Sequence, residues 1–173
     1  MSGPLPDTAE VDDAESRYMG IDHVAIAVRD LDPAIALFRD VLGFRLVRRL
    51  TIRGKKTGML SAEMEHNGIK FVLCQGTEPE SQVSRLIEEY GPGVAHIAMR
   101  VADAHDTMEN LQTRGMSFDT NVIEGQGLKQ TFTSRCRNSG LSFEFIQRDP
   151  CQGGFVETNV QQLFDQLETQ GTY

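Results

Sequence analysis

Tryptophan is absent from this 173-residue sequence, cysteine occurs only three times, and no apolar run reaches the length that crosses a membrane. The cysteines are an odd number without C-x-x-C spacing, which indicates free thiols in a reducing compartment: Cys74, Cys136 and Cys151. The first residues also lack the basic and apolar segments of a signal peptide. We therefore expect a cytoplasmic protein that does not enter the membrane.

Positive charge is scarce as well. The chain has 17 lysines and arginines against 25 aspartates and glutamates, which gives a formal net charge of -8 and a pI near 5.0. This balance argues against nucleic acid or an anionic membrane as a partner. The composition is that of a soluble globular protein, and the length suffices for one domain or two small modules that share a core.

The hydrophobic patterning predicts a disordered acidic tail over residues 1–17 and a single domain over residues 18–173. In a first unit, residues 18–76, a helix has Asp32 as its N-cap and ends at Gly43. Asn67-Gly68 predicts a tight hairpin turn. The strands of this unit are predicted at Ile21–Val28, Phe44–Ile52, Gly58–Glu65 and Ile69–Cys74.

After a linker helix at 79–90 the same pattern restarts in a second unit, residues 93–148. Its helix has Asp103 as the N-cap and ends at Gly115. Its strands are predicted at Val94–Val101, Met116–Val122, Lys129–Ser134 and Leu141–Gln147. An amphipathic helix at about 156–170 ends the chain.

The two units are in register along the sequence. The interval from His23 to His96 is the same as the interval from Asp30 to Asp103. A repeat with such a constant spacing indicates two copies of one supersecondary unit that face a shared cavity. The sequence therefore predicts an α+β fold in which two tandem βαβββ units form one curved, barrel-like mixed sheet around a metal cavity, followed by a C-terminal helix.

Both first-strand histidines would approach the pseudo-twofold axis, and a metal between them needs further ligands. Glu144 interrupts an apolar strand, where a carboxylate without a partner would be costly to bury. The position of the first unit that corresponds to Glu144 holds Val72. The interval between these two residues is nearly the same as that between His23 and His96. The sequence therefore predicts a site made of His23, His96 and Glu144 that lacks a fourth protein ligand.

Two histidines and one carboxylate on one face leave about three coordination positions open, as is typical of non-haem Fe(II) oxygenases. Four protein ligands would instead suit a metal isomerase. Zinc also binds this set of ligands, and two core histidines with a glutamate paired to an arginine would be a purely structural alternative. The remaining histidines, His66 and His105, are expected to be exposed.

The repeated His-x-Ala strands resemble the vicinal oxygen chelate superfamily, and further motifs resemble the C-terminal, iron-binding half of the 4-hydroxyphenylpyruvate dioxygenase family. The resemblance runs from about Tyr18 to the C-terminus. The motifs are Ile21-Asp-His-Val, Ser81-Gln-Val, Gly91-Pro-Gly-Val-Ala-His-Ile-Ala, Leu128-Lys-Gln-Thr-Phe-Thr, Phe143-Glu-Phe-Ile-Gln-Arg and Gly154-Phe-Val-Glu-Thr-Asn-Val-Gln-Gln-Leu-Phe.

This resemblance implies a dioxygenase that uses Fe(II), or another divalent metal, with O2 as co-substrate and a 2-oxo acid as substrate. It implies that His23, His96 and Glu144 bind the metal. It also implies a substrate pocket with polar and aromatic walls under a terminal lid helix that carries Asn159. The implied wall residues are Ser61, Gln82, Gln130, Phe132 and Phe155.

The chain departs from the family at positions that bear on specificity. Ala95 replaces a glutamine before the second histidine, Cys74 replaces an asparagine, and Val160 replaces the second lid aromatic; the family's N-terminal half is absent. A buried donor discriminates strongly for its partner, so its loss should relax or change specificity. The acid is therefore left open, as an arylpyruvate or an aliphatic 2-oxo acid.

Three other functions compete with the dioxygenase hypothesis. One is a redox-silent lyase, isomerase or epimerase that uses zinc, manganese, nickel or cobalt as a Lewis acid. Another is a metal-free binding or resistance protein that keeps only the cavity. The third is a detached subunit that needs a partner chain; a homodimer is also compatible with the two-unit chain.

Overall fold

Eight strands and three helices follow one another over residues 17–150 of the computed structural model, which describes residues 17–125, 127–150, 161, 162, 165 and 166; the last four of these are also helical. The strands are β1 (Tyr18–Ala27), β2 (Arg45–Arg53), β3 (Gly58–His66), β4 (Ile69–Gly76), β5 (Gly93–Val101), β6 (Ile123–Gly125), β7 (Leu128–Phe132) and β8 (Phe143–Arg148). The helices are α1 (Leu31–Ala36), which continues as a π-helical turn (Leu37–Val41), α2 (Gln82–Tyr90) and α3 (Ala104–Thr113). The predicted βαβββ order is therefore confirmed in both units.

All eight strands belong to one mixed sheet, in the order β2-β3-β4-β1-β5-β8-β7-β6. β1 is parallel to β4 and antiparallel to β5, and β5 is parallel to β8. The two four-stranded halves therefore meet where β1 pairs with β5, and the sheet curls into a half-barrel. This confirms the predicted α+β fold class. None of the described helices has the length and apolar character needed to cross a membrane.

Strand register confirms that the two units are equivalent residue by residue. In the first unit, Ala25 of β1 lies opposite Val72 of β4. In the second unit, Ala98 of β5 lies opposite Glu144 of β8. Because Ala98 follows Ala25 at the same interval as His96 follows His23, Val72 and Glu144 occupy equivalent positions, as the sequence predicted.

The first helix begins earlier than predicted. Its N-cap is Asp30, whose side chain accepts a hydrogen bond from the backbone N–H of Asp32, and the N-cap of α3 is Asp103. Asp32 and Pro33 lie inside the first turn, where a proline is tolerated because the first N–H groups of a helix have no intrahelical partner. The N-cap prediction of Asp32 was therefore wrong, whereas that of Asp103 is confirmed.

The predicted strand at 116–122 is also wrong, because the short strand β6 begins only at Ile123. Within the predicted segment, Phe118 makes a single bridge to Thr133. Thr120 instead uses its side-chain oxygen to accept the backbone N–H of Phe132 at 3.0 Å. Side chains of this type compete with the regular hydrogen bonds between strands, and the regular pairing with β7 begins only at Ile123.

The helices α1 and α3 cover the face of the sheet that lies opposite the histidines. Leu31 and Ile35 of α1 belong to a cluster in which Ile26 of β1 also packs. Leu111 of α3 packs with Phe145 of β8. Since neighbouring residues of a strand point to opposite faces, His23 and Glu144 are directed to the other face. The core thereby positions the candidate site inside the curl of the sheet.

Candidate metal centre

Three side chains from three adjacent strands meet on the inner face of the sheet. Nε2 of His23 lies 3.2 Å from Oε2 of Glu144, and Nε2 of His96 lies 3.3 Å from the same oxygen. One ligand atom from each residue falls within 4.8 Å of the others. His23 and Glu144 are 1% exposed, and the side chain of His96 is 21% exposed. The structure thus brings together all three predicted ligands.

A small residue between two of these side chains allows them to meet. In the pairing of β1 with β5, His23 lies opposite Ala98, and Ala98 lies opposite Glu144 in the pairing of β5 with β8. His23 and Glu144 therefore approach each other over Ala98, which is fully buried. His96 and Ala98 are separated by a single residue and so share a face of the strand. A larger side chain at position 98 would occupy this space.

The donor set fits a divalent metal ion. Two imidazole nitrogens and a carboxylate oxygen are ligands that suit iron, zinc and neighbouring metals. Among the described residues, the second carboxylate oxygen of Glu144, Oε1, has no hydrogen-bond partner although it is buried. A buried carboxylate oxygen without a donor is costly, and coordination to a cation would remove that cost.

Burial and mutual attraction shift the acidities of the three groups. Burial disfavours the charged form of His23, but the carboxylates of Glu144 and Asp22 more than offset it and raise the pKa of His23 to about 9. Burial likewise opposes charge on Glu144, yet the two histidines lower the pKa of Glu144 to about 2. Burial is the main reason that the pKa of His96 falls below its usual value. In the metal-free protein the carboxylates of Glu144 and Asp22 therefore stabilise positive charge on His23.

A buried ion pair lies behind His23. Nδ1 of His23 is 2.9 Å from Oδ1 of Asp22, and Arg148 donates to both oxygens of Asp22, at 2.7 and 2.8 Å. Burial would raise the pKa of Asp22, but the hydrogen bonds from Arg148 and His23 lower it well below its usual range. The carboxylate therefore remains charged beside the ring.

The three side chains line a cavity with about 520 Å³ of empty volume, a figure that includes the space at its open mouth. Three predicted substrate residues, Ser61, Gln130 and Phe132, line this cavity. The ring of Phe132 meets that of His96 edge-on at 5.2 Å between centroids. Gln82 lies on the first turn of α2 and is buried, outside the lining of this cavity as the structure describes it. Phe155 and Asn159 lie outside the described residues.

The cavity wall also contains a charged pair that the sequence analysis did not identify. Nε of Arg48 on β2 donates to Oε2 of Glu63 on β3 at 2.9 Å, and the two residues lie directly opposite each other. Both line the cavity, as do Leu50, Met59, Val72 and Cys74. Arg48 interrupts an alternating apolar series (Leu46, Leu50, Ile52), which is the signal that would have identified it.

The other histidines and thiols agree with the sequence predictions where the structure describes them. His66 and His105 are exposed, and His105 lies 2.6 Å from Glu124. Cys74 and Cys136 are free thiols, and burial raises the pKa of Cys74 to about 12. The described residues do not include Cys151. Of the predicted acidic tail they include only Arg17, and of the predicted lid helix only residues 161, 162, 165 and 166, which are helical.

Comparison with known proteins identifies similarities to one superfamily. The family model described as "Glyoxalase/Bleomycin resistance protein/Dioxygenase superfamily" matches residues 20–138. The 4-hydroxyphenylpyruvate dioxygenase of Legionella pneumophila (strain Corby) is 28% identical over 86% of this chain and 53% of its own length. The chain thus spans about half the length of this relative.

Two solved structures share the fold. A variant of 4-hydroxymandelate synthase from Streptomyces coelicolor superposes with a TM-score of 0.76 at 21% identity, over 87% of this chain and 54% of that protein. Methylmalonyl-CoA epimerase from Mycobacterium tuberculosis superposes with a TM-score of 0.67 at 27% identity, over 79% of this chain and 93% of that protein. The fold therefore occurs both as half of a longer chain and as a chain of about this length.

Proposed function

Since the chain belongs to the Glyoxalase/Bleomycin resistance protein/Dioxygenase superfamily, we propose that it is an Fe(II)-dependent dioxygenase that oxidatively decarboxylates and hydroxylates a 2-oxo acid. Its metal ligands in this proposal are His23, His96 and Glu144. The superfamily and the three-residue cluster support a metal-dependent enzyme. The proposal adds that the metal is iron, that O2 is the co-substrate and that the substrate is a 2-oxo acid.

The observation that carries this proposal is the absence of a fourth ligand at the position equivalent to Glu144. That position holds Val72, whose side chain lines the cavity and cannot coordinate a metal. Two histidines and one carboxylate leave about three adjacent positions for external ligands. Fe(II) held by His23, His96 and Glu144 would supply the redox chemistry that a reaction of a 2-oxo acid with O2 needs.

The chain's own residues bind and orient the substrate in this proposal. The amide of Gln130 and the hydroxyl of Ser61 provide hydrogen bonds from opposite units, since they lie on β7 and β3. The ring of Phe132 lies nearly perpendicular to that of His96 and helps to exclude water. Phe155 and Asn159 are proposed to complete the wall from the C-terminal segment. Orientation in a dry pocket is the general contribution of a protein to such chemistry.

The substrate is proposed to be an arylpyruvate or an aliphatic 2-oxo acid. The similarity to a protein named 4-hydroxyphenylpyruvate dioxygenase supports the aryl class. Ala95 and Cys74 replace polar residues of that family, which is the reason for including aliphatic acids.

Anaerobic reconstitution with Fe(II) tests the proposal directly. Each acid of a panel of arylpyruvates and branched aliphatic 2-oxo acids is added, followed by O2, and both O2 uptake and CO2 release are measured. We expect stoichiometric uptake and release with at least one acid, and neither with the Glu144→Ala variant. The His105→Ala variant is a matched control, since it removes an exposed histidine–glutamate contact and should retain wild-type uptake. Absence of uptake with every acid would refute the dioxygenase assignment.

A redox-silent lyase, isomerase or epimerase is the second candidate. It is favoured by the similarity to methylmalonyl-CoA epimerase, which at 27% identity is matched over 93% of its length. In this case the metal would act as a Lewis acid, and zinc or cobalt would replace iron. Activity that persists without O2, on protein reconstituted with Co(II) or Zn(II), would favour this candidate over the dioxygenase.

A further inference from the structure

We propose that Asp22 and Arg148 are positioning residues of the metal centre: Arg148 holds the Asp22 carboxylate behind His23, and this carboxylate presents Nε2 of His23 to the metal. The inference rests on the proposed metal centre. It adds two residues that would contact neither the metal nor the substrate but would determine how well one ligand is oriented.

The two nitrogens of the His23 ring have different surroundings. Nδ1 lies 2.9 Å from Oδ1 of Asp22, whereas Nε2 is turned to the cavity, 3.2 Å from Glu144. A carboxylate only accepts hydrogen bonds, so the hydrogen of the first contact belongs to Nδ1. In the neutral ring this leaves the lone pair on Nε2, which is the form that a metal ligand requires.

The Asp22 carboxylate is itself held in place from its other side. Arg148 donates from Nε to Oδ2 and from Nη2 to Oδ1 of Asp22, at 2.7 and 2.8 Å. The side chains of Asp22 and Arg148 are only 4% and 13% exposed. A two-pronged contact of this kind holds the carboxylate in one plane and stabilises its negative charge. Through Asp22, the guanidinium therefore restricts rotation of the imidazole.

These residues come from strands of both units. Asp22 and His23 are neighbours on β1 of the first unit, whereas Glu144 and Arg148 both lie on β8 of the second unit. The last strand of the second unit thus provides one ligand directly and orients another. The histidine of the second unit lacks this device, because Ala95 precedes His96. The side chain of His96 is also more exposed than that of His23, 21% against 1%.

A purely structural role is the alternative, because an ion pair between residues 126 positions apart also joins the two units. The two roles differ in what they affect. A structural pair stabilises the fold with or without metal, whereas a positioning pair determines metal affinity. Asp22→Asn separates them, since asparagine has nearly the same shape and can still accept a hydrogen bond but carries no charge.

The experiment measures Co(II) affinity of the full chain by anaerobic competition titration, and unfolding in urea with a chelator present. We expect Asp22→Asn to weaken Co(II) binding by about 10- to 100-fold, the loss typical of an outer-shell partner. Arg148→Lys, which keeps the charge but not the two-pronged contact, should lose less affinity. Glu124→Gln is the matched control, since it removes the exposed carboxylate partner of His105, and should bind Co(II) as the wild type does.

A complementary measurement uses the wild-type protein loaded with Zn(II), in which nitrogen NMR of His23 should show a proton on Nδ1 and none on Nε2. An unprotonated Nδ1 would overturn the proposal even if the Asp22 variant does not fold. Wild-type affinity in a destabilised Asp22→Asn variant would overturn the positioning role and leave the metal centre intact. If the wild type binds no divalent metal at all, the proposed function fails together with this inference.

Discussion

The attraction between His23 and Glu144 should make the stability of the metal-free protein depend on pH in a defined direction. The pKa of His23 is raised to about 9, chiefly because the Glu144 carboxylate outweighs the effect of burial; an unfolded histidine titrates near 6.5. A group whose pKa is raised by folding binds its proton more tightly in the folded state. Its stabilisation is complete below about pH 6.5 and is lost as the pH rises through about 9.

The magnitude follows from the size of the shift. A rise from about 6.5 to about 9 corresponds to roughly 3 kcal/mol of unfolding free energy, at about 1.4 kcal/mol for each pH unit. Glu144 contributes in the opposite direction, because its pKa is lowered to about 2 and its stabilisation is lost in acid. The pair should therefore stabilise the metal-free protein most between about pH 4.5 and about pH 6.5.

The assay is urea unfolding with a chelator present, at a series of pH values between about 7 and about 8.5, a range in which the lowered pKa of His96 contributes little because an unfolded histidine is already mostly neutral. We expect the wild type to lose about 1–3 kcal/mol of unfolding free energy over this range, the order given by linkage. Glu144→Gln should flatten the curve, since it removes the carboxylate that most raises the pKa of His23. A wild-type curve that is as flat as that of Glu144→Gln would refute the proposed His23–Glu144 contact.

Two further substitutions test the geometry around the ligands. Ala98→Val should fill the space over which His23 and Glu144 meet, at a cost of about 1–3 kcal/mol of stability, and should weaken Co(II) binding in a titration. Ala62→Val, at an equally buried alanine in the core near α1, should lose stability but keep the affinity. Val72→Glu should supply a fourth ligand, so that Co(II) binds more tightly while O2 uptake with any 2-oxo acid falls; unchanged affinity and uptake would contradict the proposed open position.

The parts of the fold that could be predicted from the sequence are those that repeat. The spacing of His23 and His96 indicated the relation between the units, and Glu144 was visible because a carboxylate interrupts an apolar strand. Asp30 could have been recognised as a cap from its repeat partner Asp103. The sequence Asp30-Leu-Asp-Pro offers two aspartates, however, and local preference alone selects the wrong one.

The parts that could not be predicted depend on pairing between distant residues. Arg48 and Glu63 face each other because β2 and β3 pair in one particular register, which the alternation of side chains does not specify. Asp22 and Arg148 are 126 positions apart in the sequence, and only the closed sheet brings them together. Gln82 is the opposite case, because the family motif implied that it lines the pocket. It lies on the first turn of α2, outside the described lining of the cavity.

The iron centre is tested most simply by the metal content of protein purified anaerobically, compared between the wild type and Glu144→Ala. We predict about one iron per chain in the wild type, as expected for a single three-ligand site, and loss of that iron in the variant. Equal iron in both proteins, or zinc in place of iron in a wild type that is active without O2, would contradict the proposed centre.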